Sequence, residues 1–149
     1  MNILLTISGV IVLFYTFSSV VGLWLSHKIM DATADGNVVA EALEGAPAHH
    51  VELMANYARG WRRHAWQASI FALFTTLIAI VINSPLAFWA LGTAIIIDST
   101  LFISYAGIGA FLAKTDARER LIDVFQSLAL LAALAILYWV NIGTPETLG

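Results

Sequence analysis

Charged residues divide this chain into long apolar blocks. The blocks that contain no Asp, Glu, Lys or Arg cover residues 1–26, 65–97, 99–113 and 124–145. A helix needs about 20 apolar residues to cross the hydrocarbon core of a bilayer. The first and last blocks are therefore long enough for one membrane span each, and the middle region, residues 65–113, is long enough for two.

Turn-forming residues divide the middle region into its two spans. Asn83 and Ser84 favour a turn, and Ser84 can also cap a helix. Pro85 suits the first position of the next helix, where its missing N–H removes no hydrogen bond. The pattern predicts a tight helical hairpin.

The last span has clear ends. Asp116 with Glu119 three residues later has the spacing of a capping box, and Gly143 and Pro145 are residues that end helices. With the preceding signals this predicts four helices and a long first loop, at residues 3–28, 55–82, 85–112 and 117–142, with the loop at 29–54.

Composition places the chain among integral membrane proteins. Of the 149 residues 60% are hydrophobic and 11% are charged, and the mean hydropathy is +0.83, whereas soluble domains are about one quarter charged. The first block lacks the basic and cleavage regions of a signal peptide, so we expect it to remain as a span. The expected fold is all-α: an integral membrane four-helix bundle in a single domain, residues 1–149.

Basic residues predict the orientation. Every Lys and Arg lies in the first or the third loop or at the adjoining helix ends: Lys28, Arg59, Arg62, Arg63, Lys114, Arg118 and Arg120. The positive-inside rule places these two loops in the cytoplasm and both termini on the non-cytoplasmic side. We expect a bacterial cytoplasmic (inner) membrane. Trp24, Tyr138 and Trp139 suit aromatic anchors at the membrane interfaces.

An arginine-rich stretch precedes and enters the second span. In a continuous helix Glu52, Asn56, Arg59 and Arg63 would share one face, flanked by Arg62. One interpretation is a site for a carboxylate or phosphate, which guanidinium groups bind well. The other interpretation is that these residues only fix the topology and contact anionic lipid headgroups. The spacing alone favours this second interpretation.

Histidines do not predict a metal site. His49 and His50 are adjacent, so on a helix they point about 100° apart, and no second ligand pair at helical spacing accompanies them. His64 lies near the cytoplasmic boundary, where an interfacial role and an axial-ligand role are both open. The chain has no cysteine, which excludes disulfides and thiolate sites.

Asp98 is the unusual residue, because it interrupts the apolar stretch WALGTAIIIDSTLFISY at residues 89–105. An acid inside a span normally faces protein or water and has a partner. Counted from the turn it lies about 21 Å down its helix, in the cytoplasmic half. Ser69 at a similar depth and Gln126 are the candidate hydrogen-bond partners. A structural tie between helices, through a protonated carboxyl, and a role toward a bound ligand both remain open.

Two segments resemble the MAPEG family, the membrane-associated proteins in eicosanoid and glutathione metabolism. RGWRRHAWQASIFALF at residues 59–74 looks like the family motif of the second helix, and YAGIGAFLAKTDARERLIDVF at 105–125 like its third-helix tyrosine and fourth-helix arginine. The resemblance implies a four-helix bundle that binds glutathione between the subunits of a trimer. It places five residues at motif positions: Arg59, Arg62, His64, Tyr105 and Arg120.

The chain departs from the motif at polar positions. Trp66 stands where the family has Asn, Ser69 where it has Glu, and Asp98 where a basic residue is frequent. Lost hydrogen bonds to glutathione would each weaken binding by about 1 kcal/mol. These departures favour a protein that keeps the arrangement of spans without the activity.

Three functional hypotheses follow. The first is a non-enzymatic accessory or scaffolding subunit in the bilayer, present as a homo-oligomer or within a larger membrane complex, with a bound lipid or pigment as its possible ligand. The alternative is a divergent glutathione-dependent transferase or peroxidase that acts on lipophilic substrates. The third, an ion pathway through Asp98, is disfavoured because the sequence offers no further ionisable group deep in the spans. No nucleotide-binding or nucleic-acid-binding pattern is present.

Overall fold

The computed structural model describes residues 3–34, 56–105 and 117–141, and its elements are helices. They are α1 (Ile3–Ala34), α2 (Gly60–Val81), α3 (Leu86–Tyr105) and α4 (Ala117–Asn141). All four are long and apolar enough to cross a membrane. The prediction of an all-α fold with four helices able to span a membrane is therefore confirmed for the described residues, while the orientation of the termini stays a prediction.

Helix α1 is longer than the sequence pattern predicts. It continues past residue 28 to Ala34, because Lys28 and Asp31 are charged but do not break a helix, and no Gly or Pro lies between Lys28 and Gly36. Charge marks the edge of the membrane here rather than the end of the helix.

Helix α2 begins later than predicted, at Gly60. Arg59 has an extended backbone, with φ −105° and ψ 139°, and Gly60 has φ +55°. This left-handed conformation suits glycine and interrupts helical geometry. The predicted single face carrying Asn56, Arg59 and Arg63 is therefore wrong, since the backbone changes direction between the second and third of these residues. Glu52, His49 and His50 lie outside the described residues.

The turn between α2 and α3 has the predicted chemistry. Asn83 adopts φ +52°, and two hydrogen bonds close the end of α2, from Ser84 N to Ala79 O at 2.8 Å and from Asn83 N to Ile80 O at 3.1 Å. These two bonds form a Schellman motif, for which asparagine is a suitable left-handed residue. Ser84 Oγ then accepts a hydrogen bond from Leu86 N at 3.3 Å and caps α3.

The helices pack in the order of the chain. α2 and α3 form the most extensive pair, α1 packs against α2 and α4, and α4 also contacts α3. The main apolar cluster joins all four helices and lies toward the turn between α2 and α3; it includes Val12, Leu73, Leu91 and Leu137. A smaller cluster of Tyr57, Trp66, Ile70 and Leu101 lies toward the other end.

Four exposed tryptophans and one exposed tyrosine mark two levels of the bundle. Trp24 and Trp61 are exposed at one level, and Trp89, Tyr138 and Trp139 at the other. Trp61 lies twenty residues before Val81, and Trp89 lies three residues after Leu86, so the levels are about 26 Å apart along the helices. This is close to the thickness of a hydrocarbon core, as expected for the predicted interfacial anchors.

Candidate functional site

A group of three polar side chains lies inside the bundle at one depth. Tyr15 is twelve residues after Ile3, Asp98 is twelve residues after Leu86, and Ser69 is twelve residues before Val81. Each is therefore about 18 Å from the same end of the bundle. We call Tyr15, Ser69 and Asp98 the central polar group. It joins α1, α2 and α3.

Tyr15 provides the hydrogen bond to the acid. Its Oη donates to Asp98 Oδ2 at 2.9 Å. Sequence reasoning missed this partner, because one tyrosine in an apolar span has no distinctive pattern. Their depth along the helices could have indicated the pair, because Tyr15 and Asp98 lie equally far from the first residues of the parallel helices α1 and α3.

Ser69 is in the predicted place but does not complete the predicted bond. Its side chain is 1% exposed and close enough to interact with the Asp98 carboxyl, yet Ser69 Oγ has no partner at hydrogen-bond geometry among the described residues. Gln126, the other predicted partner, is half-buried on α4, and within the described ranges it makes no hydrogen bond to Asp98.

The aromatic levels refine the depth of Asp98. It lies nine residues after Trp89, about 14 Å, which is about half of the separation between the two levels. The acid is therefore about midway between the two aromatic levels. Counting from the turn gives a larger distance, because Ser84 lies beyond the level of Trp89.

Mainly apolar layers lie on either side of the central polar group. Toward the turn, Val12, Leu73, Leu91 and Leu137 are fully buried, and so are the hydroxyl-bearing side chains of Ser8 and Thr76. Toward the arginine end, Leu101 is fully buried, but the cluster also contains Tyr57, whose ring meets the edge of Trp66 at a centroid distance of 5.6 Å.

Two more titratable groups lie between the central polar group and the arginine end. Tyr57 precedes α2 and is buried, and Asp123 is half-buried near the start of α4. Both are near enough to Tyr15 to interact with it electrostatically. The sequence did not reveal this arrangement, because Tyr57 lies outside the apolar block and Asp123 at the edge of the last one.

Arg62 is held within the chain. Its Nη2 donates to Ser104 O at 3.0 Å, and its Nε donates to Ser104 Oγ at 3.2 Å. The guanidinium also lies 5.6 Å from the centroid of the Trp61 ring. Arg62, which the sequence predicted to bind an anion, therefore joins the start of α2 to the last described turn of α3.

The other residues predicted for an anion or glutathione site differ from Arg62 in their exposure and contacts. Arg59, Arg63 and His64 are exposed, and Arg120 is half-buried and has interactions of its own. The side chain of Tyr105 lies outside the described part of the structure. Among the described residues, no group of three or more His, Asp and Glu is placed to hold a metal ion.

Gln67 is an exposed amide at membrane depth. It lies on the outer face of α2, six residues after Trp61, or about 9 Å inside the aromatic level. It makes no hydrogen bond with the described part of the chain. By contrast, the exposed hydroxyls of Ser18, Thr93, Thr100 and Ser127 each bond a carbonyl of their own helix.

No protein-family model matches the chain, and neither curated proteins nor solved structures include a significant match. Function therefore has to be argued from the geometry of these groups.

Proposed function

We propose that this protein is a non-enzymatic accessory or scaffolding subunit of a membrane protein assembly, built on a MAPEG-like four-helix bundle. The observation that carries the proposal is the outward-facing amide of Gln67, which only another polypeptide can satisfy well inside a bilayer. Tyr15 and Asp98 inside the bundle, in contrast, bond one helix to another.

The use of Arg62 and Asp98 supports a structural role. Arg62 joins α2 to α3 through Ser104, and Asp98 joins α3 to α1 through Tyr15. A ligand that needed either side chain would have to displace a bond between helices. The predicted anion site has therefore lost one of its central guanidinium groups to the fold.

The environment of Gln67 supports a protein partner. An amide in hydrocarbon leaves two donors and an acceptor without partners, and each unpaired group costs a few kcal/mol. Lipid tails offer no hydrogen bonds. A neighbouring helix does, and a second copy of Gln67 is the simplest case because an amide is complementary to itself.

Gln67→Leu tests the proposal. In native membranes solubilised with mild detergent, we expect the wild type to elute as an assembly larger than one chain, with or without other proteins, and the variant to shift toward the monomer. Light scattering on the eluted protein gives the mass, and mass spectrometry gives the partners.

Thr100→Val is the matched control. Thr100 is fourteen residues after Leu86 and Gln67 is fourteen residues before Val81, so both lie at the same depth, and both are exposed. The Thr100 hydroxyl already bonds Ile96 O at 2.8 Å, so its removal should leave the assembly intact. A wild-type protein that is monomeric in both detergent and lipid nanodiscs would overturn the proposal.

A further inference from the structure

Gln67 belongs to a stripe of exposed side chains along the outer face of α2. His64, Gln67, Phe71, Phe74 and Ile78 follow one another at steps of three and four residues, and all five are exposed. Side chains with this spacing lie along one face of a helix, and two such faces can pack lengthwise at a small crossing angle. We call these five residues the outer stripe.

The amide distinguishes this face from those of the other helices. Within the described spans, Gln67 is the only side-chain amide that is exposed. It has no hydrogen bond to the described part of the chain. Ala68, next to it, is also exposed, and so small a side chain lets a second helix backbone come close. The face therefore offers both an unsatisfied polar group and room for a neighbouring helix.

All copies of this chain insert into a membrane in the same orientation, because the same basic residues direct each insertion. Helix α2 therefore runs in the same direction in every copy. When two copies meet through one face about a two-fold axis normal to the membrane, each residue lies at the depth of its own counterpart. Gln67 then lies opposite Gln67. A different protein would need its own polar group at this depth, whereas a second copy always supplies one.

We propose that the partner of Gln67 is a second copy of this chain, packed in parallel along the outer stripe. The inference rests on the proposed role as a subunit of an assembly, and it names the partner. Each Gln67 amide donates one hydrogen bond to the carbonyl oxygen of its counterpart, which satisfies the acceptor and one donor on each chain. Toward the turn, Phe71, Phe74 and Ile78 pack against the same residues of the second copy.

Cysteine cross-linking in native membranes tests the pair. The chain has no cysteine, so a single substitution, Phe71→Cys or Ile78→Cys, gives one thiol per copy. Iodine enters the bilayer and takes one electron from each of two thiols, which become a disulfide. The bond requires Cα atoms within about 7 Å. We expect both variants to give a product with twice the mass of one chain, and mass spectrometry should find only this chain in it.

Leu13→Cys and Ile96→Cys are the matched controls. Phe71 lies ten residues before Val81, Leu13 ten residues after Ile3 and Ile96 ten residues after Leu86, so the three positions share one depth. Their exposed fractions are also similar, at 74%, 58% and 67%. We expect the two controls to give a severalfold lower yield of the dimer. Each cysteine replaces an exposed side chain, so the fold should persist in all these variants.

Two further measurements test the register and the amide. When chains carrying Phe71→Cys and Ile78→Cys are expressed together with different tags, disulfides should join like chains severalfold more than unlike ones. The two positions are seven residues, or about 10 Å, apart along α2. Added to Ile78→Cys, the substitution Gln67→Leu should lower the yield severalfold, whereas Gln67→Asn keeps an amide and should preserve most of it.

Failure of the pair is distinguishable from failure of the scaffold. If the wild type elutes as an assembly but cysteines of the outer stripe join another protein, or react no better than Leu13→Cys and Ile96→Cys, the parallel pair is wrong and the role as a subunit stands. Efficient bonds between unlike positions in the mixed experiment would equally overturn the pair. A wild type that is monomeric in detergent and in nanodiscs would overturn both proposals.

Discussion

The hydrogen bond between Tyr15 and Asp98 should contribute measurably to stability, because it links helices that are not neighbours in the packing order. In Tyr15→Phe the ring remains and only the hydroxyl is lost. Hydrogen bonds between helices in membranes are worth about 0.6 kcal/mol on average and up to about 1.7 kcal/mol. The 2.9 Å bond is partly buried, and its loss leaves a carboxyl oxygen without its donor, so we expect stability to fall by about 1–2 kcal/mol.

The measurement is reversible unfolding in mixed micelles of increasing denaturing detergent, followed by fluorescence of the five tryptophans, of which Trp66 is buried. A double-mutant cycle with Tyr15→Phe and Asp98→Ala isolates the pair. Because both residues act through the same bond, we expect a coupling of about 1 kcal/mol rather than additivity.

Thr16→Val is the control for removal of a hydroxyl. Thr16 follows Tyr15 in the sequence and is also buried, but its hydroxyl donates a hydrogen bond to Val12 O in its own helix at 2.7 Å. That bond persists when α1 separates from the bundle as an intact helix, so its loss should change stability by about 0.5 kcal/mol or less. The reasoning is refuted if Tyr15→Phe costs no more than Thr16→Val, or if the cycle is additive within about 0.3 kcal/mol.

Other variants test the arginine end and the topology. Arg62→Ala should lower stability by about 1 kcal/mol, because two bonds to α3 are lost, whereas Arg63→Ala at an exposed position should stay within about 0.5 kcal/mol in the same titration. Gly60→Ala meets no atom within 4 Å but must hold φ +55°, so it should cost about 1–2 kcal/mol. Impermeant maleimide should label Arg63→Cys from the cytoplasmic side and Ser84→Cys from the outside. Calorimetry with millimolar glutathione should give no binding heat, and micromolar binding lost in Arg62→Ala would revive the transferase.

The spans and the hairpin were predictable because their signals are local. Apolar length alone determines whether a helix can cross the bilayer, and Asn83 with Ser84 supplies both the left-handed residue and the cap of the observed turn. The helix ends near the membrane surface were less predictable. Lys28 ends an apolar block without ending α1, and Gly60 breaks a pattern that extends through Arg59 to Arg63.

The central polar group was only partly predictable because it depends on tertiary packing. Ser69 was found by matching depths across a hairpin whose turn is marked in the sequence. Tyr15 required the further step of aligning the starts of two parallel helices from different parts of the chain. The exposure of Gln67 could not be read from an apolar block at all, since it depends on which face of α2 meets its neighbours.

Helix α1 joins the hairpin through the central polar group. Helices α2 and α3 form a tight hairpin with a capped turn, and the bond from Tyr15 to Asp98 is a specific polar link from α1 to this hairpin. The packing of α1 against the hairpin should therefore depend on that bond, and so should any assembly that uses the outer faces of these helices.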